Sequence, residues 1–94
     1  MAADLAEKTN RYEGLLADAI EESSIDVRDD SPLYAAAVEF REMANSYLED
    51  GRHFRDEDDL VNALAAFSYG HAWLDAGARL GIFDVPDEGH LFTI

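Results

Sequence analysis

The chain has 94 residues, 48% of them hydrophobic, with no cysteine and a formal net charge of −14. That length makes one domain with a modest core, and the apolar share excludes intrinsic disorder. The missing cysteines exclude disulfides, thiolate catalysis and a Cys-based zinc site, and the acid surplus leaves no basic patch to replace the counterions of a nucleic acid.

Two prolines, six glycines and few β-branched residues point to an all-α protein. The start lacks an apolar signal core and no apolar run is long enough to span a bilayer, so a soluble, cytoplasmic protein without membrane partners is expected. Of the 21 acids twelve are Asp, and one Lys stands against six Arg. Such a surface self-repels in dilute salt but is screened in molar salt, where the Debye length is about 3 Å. This is the composition expected of a halophile's cytosolic protein, and it makes carboxylate clusters solubility devices before it makes them active sites.

The first helix is expected over about 4–22. Asp4 can cap it and Glu7 follows three residues on. Leu5, Tyr12, Leu15, Leu16, Ala19 and Ile20 form its apolar stripe, and Gly14 marks an expected close contact with a neighbouring helix. The polar connector Ser23–Ser31 holds Ile25 and Val27, which should tuck over the end of the bundle. Ser31-Pro32 then starts the second helix, expected over about 32–55, with a capping hydroxyl followed by Pro at the first helical position. Leu33, Ala37, Phe40, Ala44 and Tyr47 form its seam, with Gly51 as a small-residue contact.

The third helix, about 58–80, is the most apolar. Leu60, Leu64, Phe67, His71, Leu74 and Ala78 recur in steps of four and three, one continuous seam. Beside it Ala63, Gly70 and Gly77 stand seven apart. Gly inside a helix costs about 1 kcal/mol against Ala, and close approach of another helix is the ordinary reason for it. Gly81 is the expected carboxy-terminal cap. The acidic turn at residues 56–59 joins the second and third helices into a long antiparallel hairpin. The first helix is expected to cover the glycine seam, completing a three-helix up-and-down bundle. The segment 82–94 ends in apolar residues and is expected to fold back on the bundle.

The run Tyr69-Gly70-His71-Ala72-Trp73-Leu74-Asp75-Ala76-Gly77-Ala78-Arg79-Leu80-Gly81-Ile82-Phe83 resembles the hallmark of a small archaeal family known as domain of unknown function 357. Residues 44–54 and 63–66 fit that family's hairpin, so the resemblance covers roughly Pro32 to Phe83. Gly51 and the Asp-rich turn depart from the pattern, where Ala and a Gly-Asp turn are expected. The resemblance implies a three-helix up-and-down bundle, an archaeal source and no established activity.

Candidate chemistry is sparse. His71 and Asp75 are one helical turn apart and can share a hydrogen bond or offer two ligands to a metal or small molecule, with Arg79 one turn further. Two ligands do not make a metal site, and a histidine oriented by Asp75 at the core edge is the reading the spacing favours. Ser68 and His71 give neither a strained elbow nor an oriented base, so no catalytic residue and no enzyme activity is expected. The acids at 56–59 lack the Gly and terminal Glu of a calcium loop, and no cofactor is called for. Tyr69 and Trp73 form an aromatic pair at one-turn spacing. Packed against the first helix or the tail they need no function; exposed, they mark a partner surface together with Leu91 and Phe92. The leading expectation is a non-enzymatic interaction module, acting on another protein or as a homodimer. A small-molecule or metal-binding protein using His71 and Asp75 is the alternative.

Overall fold

The computed structural model describes residues 4–86 and Phe92. It is a three-helix bundle of α1 (Leu5–Glu22), α2 (Pro32–Asp56) and α3 (Leu60–Leu80). Two short strands, β1 (Ser24–Ile25) and β2 (Phe83–Asp84), pair antiparallel at one end. The most extensive packing is between α2 and α3, with α1 laid mainly against α3.

The helix ends follow from their capping residues. Asp4 accepts the Glu7 amide at 3.1 Å, and Ser31 accepts the Leu33 amide at 3.1 Å ahead of Pro32. Asp59 caps α3 by accepting from the Asn62 amide. The tight turn before it places Asp58 at a φ of 60°, a conformation Asp tolerates better than most side chains. At the far end Gly81 adopts a φ of 80°, its amide donates to Ala78 and that of Ile82 to Gly77. These two bonds satisfy carbonyls that the helix leaves orphaned.

The core runs through Leu16 and Ala19 of α1, Ala37, Ala44 and Leu48 of α2, and Ala63, Phe67 and Leu74 of α3. Ile82 and Phe83 close it beyond α3, at 1% and 4% exposure. Small residues at the α2–α3 contact let the backbones approach. The Phe67 ring occupies the space above Gly51, and Gly70 faces Leu16 together with Tyr47 and the Ala44 carbonyl. The Phe83 ring takes the place of a side chain at Gly77. The glycine seam is therefore covered by three different elements, and α1 alone does not cover it as the periodicity suggests.

Three further departures have physical causes. Gly14 is exposed, with nothing within 4 Å of where its Cβ would stand, so it marks no helix contact; nothing in the structure explains this glycine. The expected α2 seam is rotated: Leu48 and Gly51 join Ala37 and Ala44 in the core, whereas Phe40 and Tyr47 are half-buried at its edge and Leu33 is 51% exposed. The connector after α1 is not simply polar chain. Ile25 pairs with Phe83 and Ser24 with Asp84, the Asp26 amide donates to Ile82, and Ile25 and Val27 pack half-buried on the core.

Two polar clamps tie α1 to α2. The Arg41 guanidinium donates to the carbonyls of Ile20 and Ser23 and to the Ser23 hydroxyl. It thereby places a cation at the carboxy-terminal end of α1, which has no basic residue in its own last turn. Towards the other end of the pair, Glu13 takes Arg52 on one oxygen at 2.7 Å and Arg55 on the other. Sequence periodicity does not single out these residues. Their signal is an arginine at the flank of an apolar stripe, which is common on any amphipathic helix.

Candidate functional site

Every site residue expected from the sequence, apart from Leu91 and Phe92, lies on α3, and the helix sorts them onto two flanks. His71 and Asp75 are half-buried on one flank, Nδ1 to Oδ2 at 3.3 Å. One turn of helix brings an imidazole and a carboxylate within reach of each other, which orients the ring. The ring of Phe92 lies 5.9 Å from that of His71. Among the described residues no group of three or more His, Asp or Glu could hold a metal ion. Arg79, one turn beyond Asp75, is exposed in the last turn of α3, where a cation suits the helix dipole.

Tyr69 and Trp73 sit elsewhere. Each is two residues from His71, and two residues turn a helix by about 200°. Both face α2, with Trp73 half-buried against the core and Tyr69 exposed. The Trp73 ring meets Phe40 edge-on at 5.0 Å, and Tyr69 lies tilted over Tyr47 at 5.8 Å. Phe92 therefore does not join them in one surface as the sequence suggests, and Leu91 lies outside the described residues. Met43 lines the Trp73 side together with Phe40.

The edge between α2 and α3 is a row of shallow grooves. One of about 170 Å³ is lined by Phe40, Tyr69, Ala72, Trp73 and Ala76. Another of about 500 Å³ runs over Phe40, Met43 and Trp73, bordered by Glu39 and Glu42. A third, of about 160 Å³, continues past Tyr47, Phe54 and Tyr69. The Trp73 and Phe40 rings are partly covered by each other, while Tyr69 remains 64% exposed.

Beside this edge the outward face of α3 has an unusual composition. Val61 and Leu80 are 68% and 65% exposed, and with Tyr69, Ala72 and Ala76 they leave a continuous apolar stripe in solvent. The other exposed residues of α3 are Asn62, Ser68 and Arg79. None of them is acidic. On α1 the exposed residues include Glu7, Asp18, Glu21 and Glu22, and on α2 they include Glu39, Glu42, Glu49, Asp50 and Asp56. In a chain with 21 acids, one long helix thus turns an acid-free apolar face to water.

Among the described residues no helix is long and apolar enough to cross a membrane. No curated protein and no solved structure matches the chain. The family described as protein of unknown function DUF357 matches residues 11–83, a span that extends beyond Pro32 to Phe83 into the first helix. That span takes in the hairpin, most of α1 and the start of β2, and the chain belongs to that family.

Proposed function

We propose that this protein is a non-enzymatic interaction module whose working surface is the outward face of α3 with the adjoining aromatic edge of α2. The observation that carries the reading is the exposure of Val61, Tyr69 and Leu80 on a helix that has no acid among its exposed residues. An exposed apolar stripe on an otherwise charged surface is where association releases the most ordered water per unit area. The test is affinity capture with the tagged full chain in molar KCl, beside the folded Tyr69→Glu variant. A stoichiometric protein held by the wild type and lost by the variant supports the reading. Equal recovery by both overturns it.

The setting belongs to the same proposal: the cytoplasm of a halophilic archaeon. Its support is the charge of −14 with twelve Asp and one Lys. At low ionic strength these carboxylates repel one another in the folded state, and salt removes that repulsion. The melting temperature is expected to climb steadily as KCl rises from about 0.1 M to about 3 M, across which the Debye length falls from about 10 Å to below 3 Å. A flat or falling melting temperature in thermal scans would sink the halophilic assignment.

A further inference from the structure

Resting on that reading of the α3 face, we infer that its occupant is a second copy of this chain, packed antiparallel along α3 about a twofold axis between Gly70 and His71. Three features of the face point to self-association.

The first is charge. A basic partner would be met best by acids on the contact surface, which this chain has in abundance everywhere else. A twofold contact sets each residue's surroundings against a copy of themselves, so acids there would face acids. The exposed face of α3 is the one place on the three helices where they are missing.

The second is the spacing of the stripe. Val61, Ala65, Tyr69, Ala72, Ala76 and Leu80 succeed each other at steps of 4, 4, 3, 4 and 4, which reads the same in both directions. An antiparallel copy centred between residues 70 and 71 therefore brings the whole stripe into register at once. Val61 falls opposite the partner's Leu80, Ala65 opposite the partner's Ala76, and Tyr69 opposite the partner's Ala72. Large side chains meet at the ends, alanines allow close approach nearer the centre, and each tyrosine finds a small residue to lie over. Asn62 falls opposite the partner's Arg79, so the one cation among these residues meets an amide and no like charge.

The third is size. The 21 residues of α3 make a rod about 31 Å long, and with the edge of α2, which carries Glu39, Glu42 and Asp50 at its border, the face is roughly 20 Å across. That gives about 600 Å² per copy, or about 1,200 Å² in all, at the lower end of specific interfaces.

Sedimentation equilibrium of the purified full chain in molar KCl tests this. The expected result is a monomer–dimer equilibrium in the micromolar range, weakened at least about a hundredfold by Ala72→Glu. Residue 72 is exposed in the monomer, so circular dichroism should find that variant folded. Because the chain has no cysteine, single-cysteine variants report the register. Ala65→Cys and Ala76→Cys should cross-link to each other and neither to itself. A monomer at about 1 mM, a dimer indifferent to Ala72→Glu, or a cross-link of Ala65→Cys to itself would each overturn the inference. A monomer that still captures another protein through Tyr69 would leave the interaction module standing and remove only the second copy.

Discussion

Phe67→Ala is expected to remove about 4 kcal/mol of folding stability, read as a shifted urea midpoint with an unchanged slope. The Phe67 ring is fully buried and lies against Gly51, in the space a side chain there would fill. Emptying it leaves a cavity walled by two rigid helices, which relax little to close it. For a domain of this size that is a large share of the total, which typically lies at about 5–15 kcal/mol. The contact also makes a coupling testable. In the wild type Gly51→Ala should destabilise by about 2 kcal/mol, because the ring must leave its rotamer or push α2 outward. In a Phe67→Leu background the clash is relieved, and alanine's better helix propensity, worth up to about 1 kcal/mol, should make the same substitution neutral or favourable. Equal effects in both backgrounds would contradict the packing described.

Gly70→Ala should destabilise by about 2 kcal/mol net. A Cβ at this position would stand 2.8 Å from a Leu16 methyl, 3.0 Å from the Tyr47 Cβ and 3.2 Å from the Ala44 carbonyl oxygen. Leu16 is fully buried and has nowhere to swing, and the other two atoms belong to the body of α2. The methyl group must therefore spread helices apart at the point where all three converge. Gly14→Ala is the internal control. It is the same change in α1 with open space around it, and should raise stability by up to about 1 kcal/mol through helix propensity alone. Opposite signs for one chemical change, measured by denaturant titration, would locate the difference in packing.

Much of the fold is legible in the residues because capping chemistry is local. Asp4, Ser31 and Gly81 each act on amides or carbonyls within a few positions, so sequence spacing suffices to place them. The rotation of α2 is not legible in the same way. The seam read from periodicity already holds Ala37 and Ala44, but it adds Phe40 and Tyr47, which sit at the edge, and omits Leu48, which is buried. Closely packed helices meet through small residues, here Ala37, Ala44 and Gly51 beside Leu48, and Phe40 and Tyr47 are displaced to the edge of the contact. That displacement builds the aromatic groove beside Trp73, so the candidate site comes from the same effect that hid the core face. The glycine pattern likewise shows its purpose at Gly51, Gly70 and Gly77, where rings or backbone from elsewhere occupy the vacated space. It shows none at Gly14. The clamps at Arg41 and Glu13 depend on positions 18 to 42 residues away, beyond any periodic signal.

The pairing of β1 with β2 carries a consequence for the order of assembly. The turn between α2 and α3 spans only residues 57–59, whereas Ile25 and Phe83 are 58 positions apart (83 − 25). Closing a loop of that length early would cost about 3–4 kcal/mol in chain entropy from the length term alone, for a ladder of two residue pairs. The hairpin therefore zips from its turn, and the strand belt shuts after the helices have met. Interactions made after the rate-limiting step govern how fast a protein comes apart and leave its rate of formation almost untouched. Truncating Ile82 or Phe83 to alanine should accordingly speed unfolding in stopped-flow experiments at nearly constant refolding rate, making this belt the latch that sets the lifetime of the native state.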